Sequence, residues 1–281
     1  MASQPTSHTS ALSAADGGEA LSTSGPEIDE RLFVASVAKA MKVLEAFDKS
    51  SSNLSFSDIA IRTGLGRSAS QRFIYTLERL GYLERDEQAK RYSLSRKVFR
   101  FVQHAASSNL GLEAAYPAMR ELSERTRETI SWVEVDGAEI VIIATLPSTH
   151  ISSVNLPVGT RFPALSSSSG QMLLAHCAPS HVEKIWAMSH PSVAQRTKAA
   201  NAAAMMGVLE TAKTAGFSVT EKNMEQGSIS VSAPVHDRAG RAIGAINLST
   251  LTTRYDRGTA IRELAPLVTK AAQRATETLI S

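Results

Sequence analysis

Residues Ser55 to Leu80 read SFSDIAIRTGLGRSASQRFIYTLERL, and this stretch governs how the rest of the chain is understood. Ser55 with Asp58 three residues on is a capping-box pattern, after which Phe56, Ile59 and Ala60 supply the inward side of a short helix. Thr63-Gly64-Leu65-Gly66 stops it. From Arg67 the periodicity restarts, with Ser70, Phe73, Ile74 and Leu77 on one side and Ser68, Gln71, Arg72, Tyr75 and Arg79 opposite. Amide, hydroxyl and guanidinium groups on the outer side are what a helix lying in a major groove uses to read base edges. Alone, the stretch would equally suit an αα-hairpin with a solvated face.

Its neighbours separate the two readings. Val37, Ala40, Met41, Leu44 and Phe47 predict a preceding helix with one apolar stripe. Behind the stretch, Tyr82 to Arg85 faces Arg91 to Leu94 across the polar tip Asp86 to Lys90, which predicts a β-hairpin. Three helices followed by a hairpin make a mainly α winged helix-turn-helix over residues 31–94, rather than a surface hairpin with chance charges. Its candidate DNA contacts are Arg67, Ser68, Ser70, Gln71, Arg72 and Tyr75 on the helix and Arg85, Lys90 and Arg91 on the wing. Charge placement agrees: residues 31–105 hold 14 basic and 7 acidic side chains (+7), residues 1–30 carry −5 with no Lys or Arg, and residues 106–281 carry +1. Phosphate binding requires the basic excess where it lies.

The 281 residues suffice for two modest domains. No apolar run approaches the roughly 18 residues a membrane span needs, so no membrane association is expected. The N-terminus lacks a basic region followed by an apolar stretch, which makes the cytoplasm the expected compartment. The single Cys177 agrees, since it permits no internal disulfide and no cysteine-based zinc cluster. Residues 1–30, rich in Ser, Thr, Ala and Gly without periodicity, are expected to be a disordered tail.

Residues 95–111 predict a linker helix, with Val98, Phe99 and Val102 sharing a side. A further helix follows over Leu112 to Arg127, with Pro117 in its first turns. The pattern then changes. Thr129 to Val135 and Glu139 to Leu146 alternate around Asp136-Gly137, a tight-hairpin signal. Ile151 to Asn155, Phe217 to Glu221, Ser228 to Val235 and Arg241 to Ser249 predict four more strands. Helical patterns lie at Gly170 to His176, His181 to Ala187, Asn201 to Thr214 and, beginning near Pro266, Ile261 to Ile280. Residues 112–281 are therefore expected to form an α+β domain with an antiparallel sheet.

Four segments, in order, carry a resemblance: SVAKAMKVLEAF, DIAIRTGLGRSASQRFIYTLERLGYLERD, PVGTRFPALSSSSGQMLLA and GSISVSAPVHDRAGRAIGAINLST. Over about residues 31–281 the chain resembles the IclR family of bacterial transcription regulators, and GTRFPA is most similar to the branch regulating aromatic-acid catabolism, such as the β-ketoadipate pathway. The resemblance implies a winged helix-turn-helix, a linker helix, and a GAF-like domain that binds a small organic acid. It also implies a dimer or tetramer on a palindromic operator, without a cofactor. Family positions facing the effector match Ser168, Ser169, Ser230, Asn247 and Ser249, with Arg161 brought by the neighbouring loop. Where the branch has a Gly-Arg pair, this chain has Gly170-Gln171.

The residues themselves support such a pocket. Ser166 to Gly170 is a hydroxyl cluster ahead of a helix, which offers cap oxygens and backbone N–H groups to a carboxylate. Asn247 and Ser249 alternate on one strand and so point to one side of the sheet. Trp132 and Phe162 could wall an aromatic ligand, although each better suits ordinary core, and Glu221 and Glu225 precede Gly227 in a loop that could gate it, although the two read first as solvated acids. His176, Cys177 and His181 do not make a metal site, because no third ligand has convincing spacing.

Two other classes remain in play. A serine hydrolase would use Ser169 beside His176 or His181, but Ser167 and Ser168 stand where a nucleophile elbow has glycine. A sensor without DNA binding leaves the basic unit unexplained. The preferred reading is a ligand-responsive DNA-binding regulator of a catabolic operon, in which a small aromatic or dicarboxylic acid acts through the linker helix.

Overall fold

The computed structural model describes residues 29–48, 51–221 and 227–281, and of residues 105–107 only the backbone. Nearly all of the expected tail thus lies outside the described residues. The N-terminal part runs α1 (Ala35–Glu45), β1 (Leu54–Ser55), α2 (Phe56–Thr63), α3 (Arg67–Arg79), β2 (Leu83–Asp86) and β3 (Arg91–Leu94). The Ser55 hydroxyl accepts from the Asp58 N–H at 3.2 Å and the Asp58 carboxylate accepts from the Ser55 N–H at 2.9 Å, closing the capping box that starts α2. Gly64, at φ +66°, ends it in the left-handed conformation that favours glycine. Ser55→Ala should therefore destabilise this part by about 1 kcal/mol, read as a lowered urea midpoint; an unchanged midpoint would show that the cap does not hold α2.

Val43, Leu54, Ile59, Ile74, Leu77 and Leu83 form one core. α1 departs from expectation: Val43 and Ala46 are buried, whereas Val37 and Met41 are exposed. Leu54–Ser55 also pairs with β3, a strand too short to show periodicity, so the wing sheet has the order β1-β3-β2.

A 3-10 turn over Arg96–Val98 leads into the linker helix α4 (Phe99–Ser107), followed by α5 (Leu110–Thr126). Phe99 and Val102, expected to share a side with Val98, are both exposed. Pro117 lies in the middle of α5, not its first turns. Then come β4 (Thr129–Asp136), β5 (Glu139–Leu146), β6 (Arg161–Pro163), α6 (Ser168–Leu174), α7 (Pro179–Met188), α8 (Ser192–Thr197) and α9 (Ala202–Ala215). The chain closes with β7 (Ser218–Glu221), β8 (Ser228–His236), β9 (Ala242–Leu251), α10 (Arg257–Thr259), a π turn over Ala260–Leu264 and α11 (Ala265–Ile280).

The antiparallel sheet has the order β6-β5-β4-β9-β8-β7. The strand expected over Ile151 to Asn155 is absent, and β6 takes its place at the edge. The intervening loop is held by side chains instead: Thr129 donates to the Val154 carbonyl, Thr145 to that of Leu156 and Arg254 to that of Ser152. One face of the sheet (Ile130, Trp132, Ile229, Val231, Ile246, Leu248) packs on α5 and α11. On the other face Val133 and Ile142 pack with residues of α6, α7 and α9. Along β8 and β9 that second face is polar.

Candidate functional site

The outer side of α3 is a row of exposed side chains: Arg67, Ser68, Gln71, Arg72 and Tyr75. Ser70 does not belong to it. That residue is fully buried and its hydroxyl donates to the Leu65 carbonyl at 3.3 Å, so it anchors the turn before α3 and cannot reach DNA. The cations differ in their commitments. Arg67 lies over the Phe56 ring and Arg79 over Tyr75, at 5.5 and 5.1 Å. On the wing, Arg85 stands 3.6 Å from Glu87 and Lys90 3.2 Å from the same carboxylate. Arg91 donates to the Asn53 carbonyl at 2.9 Å and lies 3.7 Å from Asp58. The Arg72 guanidinium has no partner among the described residues.

The second constellation is buried. Because β8 and β9 alternate, Ser228, Ser230 and Ser232 point with Asn247 and Ser249 to the face opposite Val231 and Leu248. The N-terminus of α6 lays Ser168 and Ser169 onto that face. Ser232 Oγ is 2.8 Å from Ser168 Oγ and 2.9 Å from Ser169 Oγ, and donates to Asn247 Oδ1 at 2.9 Å. Asn247 Nδ2 donates to Ser249 Oγ, which also meets Ser230 Oγ, both at 2.9 Å. Gln171 donates to the Leu165 carbonyl at 3.0 Å and accepts from Ser218 at 2.6 Å. Ser131, paired across the strands with Asn247, meets Thr145 at 3.2 Å. Thr220 is buried, with a hydroxyl that finds no partner in the described structure.

Burial of so many hydroxyls is tolerable because, Thr220 apart, they have hydrogen-bond partners. None of these side chains is charged, so an anion entering the layer would be held by hydroxyl and amide donors. Ser168, Ser169, Ser230, Asn247 and Ser249 are thus brought together as expected. Ser232, Ser131, Ser218, Thr220 and Gln171 join them; the serine at every second position of SISVS was a legible signal for Ser232.

Several expectations do not hold geometrically. Arg161 sits on edge strand β6, exposed, with its guanidinium on Glu139 at 2.7 Å and Asp136 at 2.5 Å; these carboxylates, Asp136 foremost, raise its pKa. It is not at the layer. The N–H of Gly170 donates to Ser167 Oγ at 3.0 Å, and its bare Cα is demanded by packing: a Cβ would stand 2.1 Å from the Ala164 carbonyl oxygen. Trp132 is fully buried on the opposite face, with Nε1 donating to Glu134 at 2.6 Å, and cannot wall the layer. Phe162 packs partly buried on the side of α6. Glu225 lies outside the described residues.

The nucleophile arrangement is also missing, since Ser169 meets Ser232 while the His176 ring packs against His236 with centroids 4.7 Å apart. Burial lowers the pKa of both imidazoles and raises that of Cys177. Among the described residues no three of His, Cys, Asp or Glu are grouped to hold a metal.

Comparison with known proteins identifies the family and the fold. The family model described as bacterial transcriptional regulator IclR C-terminal matches residues 103–276, and the IclR helix-turn-helix domain matches residues 36–87. The chain belongs to the IclR family. IclR proteins are transcription regulators, not enzymes, and the hydrolase alternative falls.

Among relatives, the Pca regulon regulatory protein of Pseudomonas putida is 26% identical over 86% of this chain and 82% of its own length. The p-hydroxybenzoate hydroxylase transcriptional activator of Acinetobacter baylyi is 28% identical over 89% and 93%. A transcriptional regulator from Rhodococcus sp. RHA1 superposes with TM-score 0.76 at 28% identity, covering 88% of this chain and 98% of that one. An IclR homolog complexed with 4-hydroxybenzoate, from Microbacterium hydrocarbonoxydans, shares the fold with TM-score 0.74 at 22% identity over 87% and 98%. No described helix is long and apolar enough to cross a membrane.

Proposed function

We propose that this IclR-family regulator controls a catabolic operon in response to a small aromatic or dicarboxylic acid that binds in the buried polar layer. The observation carrying this is the layer itself. Ser168, Ser169, Ser230, Ser232, Asn247 and Ser249 are buried on one sheet face, where a plain core would be apolar. A carboxylate and ring hydroxyl can replace hydroxyl-to-hydroxyl bonds without leaving groups unpaired. The Pca regulon regulator of Pseudomonas, the p-hydroxybenzoate hydroxylase activator of Acinetobacter and the 4-hydroxybenzoate held by the Microbacterium protein support an aromatic acid.

DNA contact is assigned to Arg67, Ser68, Gln71, Arg72 and Tyr75 in the major groove, and to Arg85, Lys90 and Arg91 at phosphates or the minor groove. The protein works in the cytoplasm as a homodimer or a homotetramer on a palindromic operator. Exposed Val37 and Met41 on α1 and Phe99 and Val102 on α4 supply apolar surface for self-association.

A titration of operator duplex with and without 4-hydroxybenzoate tests the reading. In the parent, the acid should change operator affinity by roughly 5- to 150-fold. Asn247→Leu, which removes the amide at the centre of the network, should keep ligand-free operator binding and lose that response. An Asn247→Leu protein that responds like the parent would place the effector elsewhere.

A further inference from the structure

The linker helix is tied at both ends by specific contacts. At its N-terminal end Lys97 Nζ donates to the carbonyl of Leu80 at 2.7 Å and lies 4.5 Å from the Tyr82 ring centroid. Phe101 also stacks on Tyr82, its ring centroid 5.8 Å away at an interplanar angle of 14°. The Ser95 N–H donates to the Tyr82 carbonyl at 2.9 Å. Leu80 is the residue that caps α3. These contacts join the start of the linker helix to the end of α3.

At the other end Asn109 caps α5, accepting from the Leu112 N–H at 2.9 Å, and its amide donates to Glu134 Oε1 at 2.5 Å. That same carboxylate oxygen accepts from Trp132 Nε1 at 2.6 Å. The Trp132 ring is gripped by two glycines: a Cβ on Gly111 would stand 2.9 Å from Cζ2, and one on Gly244 2.1 Å from it. Ring and first turn of α5 must move together, because close-packed interiors do not deform continuously. Trp132 in turn follows Ser131, whose strand partner is Asn247 of the polar layer.

We infer that Lys97 and Phe101 at one end, and Asn109, Glu134 and Trp132 at the other, are the joints through which the polar layer and the recognition helix sense each other. These are positioning residues that touch neither DNA nor effector. The inference rests on the function proposed above only where an effector is used, and reciprocity of coupling allows a test without one.

The chain has two tryptophans, so Trp186→Phe leaves Trp132 as the sole reporter. In that background, saturation with an operator duplex selected from random sequence should shift Trp132 emission. Lys97→Met with Phe101→Leu should lose the shift although the duplex still binds. No shift in the parent, or a parent-sized shift in the double variant, overturns the joints. Where the double variant fails to bind the duplex, Phe101→Leu alone is read by the same criterion.

A second arm uses 4-hydroxybenzoate. Glu134→Gln should reduce its effect on operator affinity from the roughly 5- to 150-fold range to under about twofold, while the acid's own Kd stays within about threefold. An undiminished effect overturns the Glu134 joint. A parent that does not bind 4-hydroxybenzoate defeats the effector proposal alone, and the emission arm then decides the joints.

Discussion

Arg72→Ala is expected to weaken binding to the cognate operator by about 1–3 kcal/mol, roughly 5- to 150-fold, with little change on a scrambled duplex. The argument is one of availability. Arg72 is exposed on the outer side of α3, flanked by Gln71 and one turn before Tyr75, and its guanidinium is uncommitted among the described residues. Arg67 and Arg79 instead rest on aromatic rings, and the wing cations stand against carboxylates. A planar fork free to meet a guanine edge reads sequence, whereas a lysine at a hairpin tip meets phosphate. Lys90→Ala should accordingly weaken both duplexes alike and flatten the dependence of log K on log salt by about 0.9. Fluorescence anisotropy on both duplexes at several salt concentrations separates the two behaviours. Equal losses for Arg72→Ala would reassign it to the backbone, and no loss at all would remove this face of α3 as the reader.

What was legible in the sequence followed periodicity and local chemistry. The capping box at Ser55, the turn at Gly64 and the wing hairpin appear where their residues place them. The alternation that set Asn247 and Ser249 on one side of a strand also held. Failures came where a residue's type outweighed its phase. Ser70 falls on the inward side of α3 by spacing, and a buried serine with a carbonyl to bond is stable there. Trp132 alternates with Ser131, which places it on the apolar face, away from any ligand of the polar one. Arg161 is close to the serine run in sequence only, since β6 is at the far edge of the sheet from β8. In α1 both sides carry large apolar residues, so spacing could not say whether Val37 and Met41 or Val43 and Ala46 meet the core. The loop before β6 misled for another reason. Val154 and Leu156 are buried like strand residues, but their carbonyls bond to threonine hydroxyls, a pairing that depends on residues distant in the chain.

Gly170→Ala is expected to have the largest effect on stability, on the order of 3 kcal/mol or more, together with loss of the effector response. The added Cβ would meet the Ala164 oxygen at 2.1 Å and its carbonyl carbon at 2.5 Å. Both are main-chain atoms of the turn over Ala164–Ser166, so no rotamer change relieves the contact; α6 itself must lift. Lifting it separates Ser168 and Ser169 from Ser232, opening the network at the point where three hydroxyls converge and leaving buried oxygens unpaired. Gly207 in α9 provides the control, because a Cβ there has nothing within 4 Å. Gly207→Ala should stabilise by about 0.5–1 kcal/mol through helix propensity alone. Urea unfolding followed by tryptophan emission measures both. Opposite signs for the same chemical change would establish that the glycine beside the serine run is kept for the approach of α6 to the sheet. A Gly170→Ala midpoint equal to that of the parent would mean that α6 accommodates the methyl group, and that the polar layer is held less tightly than its hydrogen bonds imply.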